Sequence, residues 1–358
     1  MRARLHKQTT SRVAAALAAA LALLIAPAAP AQAASTNPIA GPWGVYTGAA
    51  DGVYPAYQSA SGTQRYLLGK VARKARVRWF TSSIARRDIR GKVHDYVVQT
   101  QNGNPNVVVL MAVFRLWPNG ERNKGIPLSA ADQQAYRDWV DAAARGIGSA
   151  RVALMLEPDL AVAYNGWRPS VRFNLAKYAA RTFSALPRTS VYIDGGAADW
   201  LTPGKAASML RAAGVGLSRV RGFALNATHY TSTPSNIVHG RQIASALATA
   251  GITSKHFVVN TSDTGQPFTW SQYWAAHPNG SFDNAETCPT KSSHRCVTLG
   301  APPTWDIAHS PQQLSPSVRT MALRFCDGYA WLGRPWLTNQ ASPFNLQRTL
   351  QIARTTPF

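Results

Sequence analysis

Acidic residues are scarce in this chain: Asp and Glu number 16 against 38 Lys and Arg in 358 residues, for a formal charge of +22. That balance would suit a nucleic-acid binder, but the cations are mostly arginines spread along the chain. There is no lysine block and no aromatic-basic RNA motif, so no nucleic-acid partner is expected. A basic exported protein, able to attach weakly to an anionic cell wall, fits better. Beyond the N-terminus no segment approaches twenty apolar residues, which gives no membrane span. Cysteine is rare as well, with three residues, and neither Cys nor His falls in metal-ligand spacing. No metal or cofactor is expected, and His229, His239, His256 and His277 read as scattered hydrogen-bonding residues. Neither a linker-like break in composition nor an internal repeat is visible.

The N-terminus reads as a secretory signal. Arg2, Arg4, Lys7 and Arg12 form a basic region, residues 14–25 are apolar, and Ala31-Gln32-Ala33 is a small-residue cleavage site. The expected product is secreted, and removal of those four cations lowers the charge to +18. Residues 34–70, rich in Pro, Gly, Tyr and Ser, read as an N-terminal lead-in segment packed on the main domain, which spans 71–358.

From residue 75 apolar runs alternate with amphipathic helical patterns. Strands are expected at 77–80, 107–114, 152–156, 190–194, 222–226, 257–260 and 329–332. Between them lie helices at 91–100, from an N-cap at Ser129, within 171–186, at 203–213, around Ile243 to Ala248, at 316–325 and at 343–354. A long loop, 263–314, carries Cys288 and Cys296, which are close enough in sequence to pair. Cys326 falls on an apolar helical pattern and is expected to be a buried free thiol. Alternation of this kind means parallel strands, and seven of them favour an α/β fold closed into a distorted parallel β/α barrel.

In such a barrel chemistry gathers past the carboxyl ends of the strands. The third strand stops abruptly at Glu157-Pro158-Asp159, because proline cannot donate to the ladder and extends the residue before it. Asp159 therefore stands on the rim, either as a general acid with a raised pKa or as a cap for the next helix. Past the other strands stand Arg115, Asp194, Asn226 with His229 and Tyr230, Asn260, and Arg334, with Trp117, Trp200, Trp331 and Trp336 near the same ends. Aromatic faces among Asp, Asn and Arg suit a sugar ring.

At these residues the chain resembles the sixth family of glycoside hydrolases, inverting endoglucanases and cellobiohydrolases that cleave β-1,4-glucan. The resemblance covers about 75–358. It is carried by Glu157-Pro158-Asp159, by the segment from Tyr192 through Asp199-Trp200, by Gly222 through Tyr230, and by Val259-Asn260-Thr261-Ser262. It implies that Asp159 is the general acid and that Trp200 and Trp331 align with tryptophans of the sugar site, joined by Asn339. Two family aspartates are missing: after the second strand no carboxylate appears until Glu121, and residues 328–358 contain no Asp or Glu. The base is Glu121, Asp194 or absent. One reading is a glycoside hydrolase of altered specificity, a monomer acting on a polysaccharide or oligosaccharide. The other is a catalytically degenerate carbohydrate-binding protein of the cell wall.

Intact-mass spectrometry of the exported protein should show loss of residues 1–33. One cysteine should be alkylated without reduction; two or three would refute the Cys288–Cys296 pair.

Overall fold

The computed structural model of the chain describes residues 37–117 and 124–358. Seven parallel strands lie in sequence order: β1 (Arg78–Thr81), β2 (Val109–Phe114), β3 (Val152–Leu156), β4 (Thr189–Asp194), β5 (Val220–Leu225), β6 (His256–Asn260) and β7 (Cys326–Ala330). The sheet curls into a distorted barrel with an open seam. β1 and β7 share no ladder; a bridge between Arg76 and Trp331 and a bond from Trp79 Nε1 to the Leu332 carbonyl (2.9 Å) draw their ends together. Side chains alternate along every strand. Val109, Met111, Val113, Leu154, Leu156, Ile193, Phe223 and Val259 face the helices, while Leu110, Ala112, Ala153, Met155, Tyr192, Ala224 and Val258 fill the interior.

Helices follow where the sequence starts them. α3 (Arg86–Gln101) packs on α4 (Ala130–Ile147), whose Ser129 and Asp132 form a reciprocal capping box and whose Tyr136, Trp139, Val140, Ala143 and Ile147 are buried. α5 (Pro169–Ser184), α6 (Pro203–Ala212), α7 (Thr233–Thr249) and α9 (Pro316–Phe325) each carry proline in the first turn, where its missing N–H costs nothing.

Four expectations need correction. The lead-in segment, for which no helix was expected, holds α1 (Val53–Ser59) and most of α2 (Gly62–Ala72). The buried stripe Leu67, Leu68, Val71 and Ala72 straddles residue 70, where the boundary had been drawn. The loop 263–314 contains α8 (Trp270–Ala276), started by a Thr269–Gln272 capping box, and a 3-10 turn at Phe282–Asn284. The final helix, α10 (Leu346–Thr355), starts beyond Pro343, after an Asn345 cap, and packs on α2. Cys326 opens β7 rather than lying in a helix, because α9 runs into the strand with no loop between them. It is buried and free, and Cys288 is bonded to Cys296. The signal segment 1–33 lies outside the described residues, and among these no helix is long and apolar enough to cross a membrane.

Two β-bulges organise the barrel interior. Arg221 is the extra residue where Val191 pairs Val220 and Tyr192 pairs Gly222; Asp327 is the extra residue where Phe257 pairs Cys326 and Val258 pairs Gly328. An added Cβ at Gly222 would collide with the His256 carbonyl oxygen, so only glycine fits beside the first bulge. The bulged residues meet across β6: the Arg221 guanidinium donates through Nε (2.6 Å) and a terminal nitrogen (2.8 Å) to Asp327, which also accepts from the Tyr192 hydroxyl (2.8 Å). His256 Nδ1 lies 3.2 Å from the same carboxylate. Burial pushes Asp327 up, but Arg221 and His256 outweigh it and hold the carboxyl below its ordinary range.

Removing one partner of such a buried pair strands the other, so Asp327→Asn should cost about 3–5 kcal/mol in urea unfolding. The depressed pKa gives the sign of the pH dependence. Stability from Asp327 is complete above the ordinary Asp range and is lost as the pH falls through the depressed value. Acid destabilisation should therefore be shallower in Asp327→Asn than in the wild type, and an equal slope would refute this account.

Candidate active site

The site begins where β3 ends. Glu157 and Asp159 both adopt left-handed backbone (φ 52° and 65°), so Glu157 departs from the extended conformation expected before proline; such backbone costs about 1–3 kcal/mol per residue outside glycine. Glu157 supplies the compensation. Its carboxylate is wholly buried and accepts from the amides of Arg115 (2.9 Å) and Leu116 (3.1 Å) and from the Tyr136 hydroxyl (2.7 Å). Burial pushes this carboxyl up to about 7, against the pull of those donors. The outcome is a latch between the ends of β2 and β3 and α4, and it turns Asp159 outward. Asp159 makes no side-chain cap to the 3-10 turn that follows, so the capping alternative does not describe it. Its Oδ1 accepts from the Thr228 hydroxyl (2.5 Å), which stands past β5.

Asp159 opens on a cleft of about 650 Å³ that is also lined by Asp199, Trp200, Thr228, His229, Trp270 and Asp283. Rings dominate one wall. His229 stacks on Trp200 at 4.8 Å between centroids (17° between planes) and faces Trp270 at 5.9 Å (23°). Asp199 fixes that stack, with Oδ1 2.7 Å from His229 Nδ1 and Oδ2 accepting from the Trp270 amide (2.6 Å). Burial alone would raise the Asp199 carboxyl; the bond to His229 and the Trp270 amide hold it below its ordinary value. Arg334 lies 3.8 Å above the Trp79 ring. Burial lowers its guanidinium to about 9, opposed by the charges of Asp159 and Asp283, so it stays protonated at neutral pH.

The structure brings Asp159, Trp200 and His229 to one cleft, with Arg334 in its field. The other expected site residues are elsewhere. Asp194 is 2% exposed and does not line the cleft; one oxygen accepts from Gly196 N, and burial, then the charge of Asp159, push its carboxyl well above the ordinary range. Asn226 and Asn260 are also buried and tie strand ends together. Asn260 donates to the Asn226 carbonyl and to Asp263, and its Oδ1 accepts from Ser262, Leu332 and Gly333 amides. Tyr230 is buried against Phe268, its hydroxyl donating to the Phe282 carbonyl (3.0 Å). Trp331 is corrected outright: it packs in the core near Trp336, with Nε1 donating to the Ala301 carbonyl, and presents no face to sugar. Arg115 contributes its amide to the latch while its half-buried guanidinium is lowered by burial. Asn339 is exposed, its amide donating to Asn284. Glu121 lies outside the described residues.

Asp199, Thr228, Trp270 and Asp283 were not singled out from the sequence. Asp199 and Thr228 stood inside quoted segments, but a turn residue beside a strand end carries no mark of its partner. Trp270 follows the capping-box threonine Thr269, a usable signal, whereas Asp283 sits in a 3-10 turn within an aperiodic loop and has none.

Residues 44–309 match the family described as Glycosyl hydrolases family 6. Endoglucanase A of Cellulomonas fimi is 30% identical over 213 residues, which cover 59% of this chain and 44% of that protein, so the match spans less than half of the relative. Endoglucanase 1 of Streptomyces halstedii is 27% identical over 253 residues, 69% of this chain and 76% of the relative. The endoglucanase Cel6 from Mycobacterium tuberculosis, solved in complex with methyl-cellobiosyl-4-deoxy-4-thio-β-D-cellobioside, shares 25% identity. It superposes with a TM-score of 0.66 over 89% of this chain and 99% of that one. The catalytic core of the cellobiohydrolase Cel6A from Chaetomium thermophilum, at 19% identity, shows the same fold, with a TM-score of 0.64 over 89% and 98% of the two chains. With the match running through all four of those strand-end segments, this chain belongs to family 6 of the glycosyl hydrolases.

Proposed function

We propose that the protein is a secreted glycoside hydrolase that cleaves a β-linked glucan with inversion, with Asp159 as the general acid. The observation that carries this reading is the placement of Asp159: a carboxyl at a strand end, opening on a cleft walled by Trp200, His229 and Trp270. Aromatic faces cover the apolar side of a pyranose ring, and Asp159 is within the same cavity to protonate a glycosidic oxygen. The family's endoglucanases, and the thio-cellobioside carried by one solved relative, support a β-1,4-glucan as the substrate. Secretion rests on the signal pattern of residues 1–33.

A second reading, a carbohydrate-binding protein without turnover, draws support from the lack of Asp and Glu in 328–358, where the resembled family keeps its base. The two readings separate on a panel of β-glucans, with reducing ends and binding followed together. Asp159→Asn should lower kcat by about 10²–10⁴ with KM nearly unchanged. A substrate with a good leaving group needs little protonation and should lose much less in the same mutant. Equal losses on both substrates would remove Asp159 from the acid role. Binding without turnover by the wild type would establish the second reading.

A further inference from the structure

An inverting hydrolase needs a second carboxylate, about 6.5–9.5 Å from the acid, to take a proton from the attacking water. Three of the obvious sources fail on geometry or sequence. Asp194 is closed off from the cleft, residues 328–358 hold no carboxylate, and Asp199 has its two oxygens committed to His229 and the Trp270 amide. Asp283 is the remaining carboxylate of the cleft wall among the described residues. It comes from the disulfide-bearing loop, whereas Asp159 comes from the end of β3, so the two enter from different elements.

The loop around Asp283 is pinned like part of the barrel. The Phe282 carbonyl accepts from the Tyr230 hydroxyl (3.0 Å), Asn284 Oδ1 accepts from the Asn339 amide (3.3 Å), and the Ala285 carbonyl accepts from the Arg348 guanidinium (2.8 Å). The Phe282 ring packs on Trp270 at 4.6 Å and edge-on to His229 at 5.3 Å. Asp283 is thus flanked by anchored residues, yet its own carboxylate has no hydrogen bond or ion pair among the described residues. A carboxylate on an anchored turn, lining a cleft and with no hydrogen-bond partner among the described residues, is what a proton acceptor requires. Partial burial raises its pKa, with His229 and Arg334 pulling it back. Arg334 feels both Asp159 and Asp283, so one guanidinium stands in the field of the two carboxyls.

We infer that Asp283 is the general base of this hydrolase, an assignment that rests on the glycosidase reading above. Water attacks the anomeric carbon and gives one proton to Asp283. Asp159 gives its proton to the glycosidic oxygen as the C–O bond breaks; the reducing-side fragment leaves as the alcohol, and the glycone is released as a hemiacetal of inverted anomeric configuration. Exchange with solvent then restores both carboxyls. On this account Tyr230 and Asn339 are positioning residues, holding the turn that presents Asp283.

The test uses the mature protein with Asp283→Ala, and with Asp283→Asn to keep the turn filled should the alanine variant fold poorly. Either should lose about 10²–10⁴-fold in kcat on glucan, and the loss should persist on a substrate with a good leaving group, in contrast to Asp159→Asn. Azide, a nucleophile that needs no base, should restore turnover in Asp283→Ala and yield a glycosyl azide of inverted configuration by NMR. Near wild-type kcat in both Asp283 variants, or a loss that azide fails to rescue while the thermal midpoint is unchanged, overturns the assignment. An Asp159→Asn variant with wild-type kinetics, beside an azide-rescued Asp283→Ala, would leave the base in place and sink the acid. A wild type that turns over no glycan overturns both.

Discussion

The burial of one carboxylate governs the site. Glu157 reaches no solvent, yet it meets two backbone amides and a phenol, and this set of bonds fixes how the chain leaves β3. These bonds offset part of the cost of burying the carboxyl and, by tying it to β2 and α4, hold two residues in left-handed backbone. Tyr136 can contribute because α4 is started at Ser129 by its capping box and packed along Trp139 and Val140. The position of Asp159 therefore depends on a helix that begins thirty residues earlier in the chain. Proline between the carboxylates does the rest, since it gives the strand no donor with which to continue.

Strand ends elsewhere are joined by neutral amides. Asn260 both donates and accepts, so one side chain satisfies groups from the segments after β5, β6 and β7. Beneath them the bulge residues Arg221 and Asp327 play the corresponding part with full charges, where Tyr192 and His256 complete the carboxylate's bonding. The two layers hold neighbouring strands at both ends. What stands between them is a rigid rim, on which Thr228 and Asp199 can orient the groups that face the cleft.

Much of this was legible in the sequence, for a physical reason. A parallel strand buried on both faces is an unbroken apolar run, so Val152–Leu156 declares itself and the polar residue after it marks the rim. That rule, with the resemblance, pointed to Asp159, Trp200 and His229, which line one cleft. The rule says nothing about which way a side chain turns. Trp331 follows a strand just as Trp200 does, but its indole nitrogen finds the Ala301 carbonyl inside the core, and no local pattern separates the two cases. Cys326 misled because a helix and a strand meet without a turn, and Gly328 interrupts the apolar run that would have announced β7. Asp283 was hidden because loops are held by tertiary bonds from distant residues, Tyr230 and Arg348 here, and these leave no period in the sequence.

The seam between β1 and β7 gives the fold a property that a closed barrel lacks. In a closed ring every strand's tilt is tied to the circumference; in this protein seven strands form a line with two ends, fastened by little more than Val77 N to the Trp331 carbonyl and Trp79 Nε1 to Leu332. Each such bond contributes about 0.5–1.5 kcal/mol net, far less than a strand ladder. The barrel is therefore a cuff rather than a pipe. Continuity is carried by the ladders from β1 to β7, and Arg334, lying on Trp79, sits at the clasp.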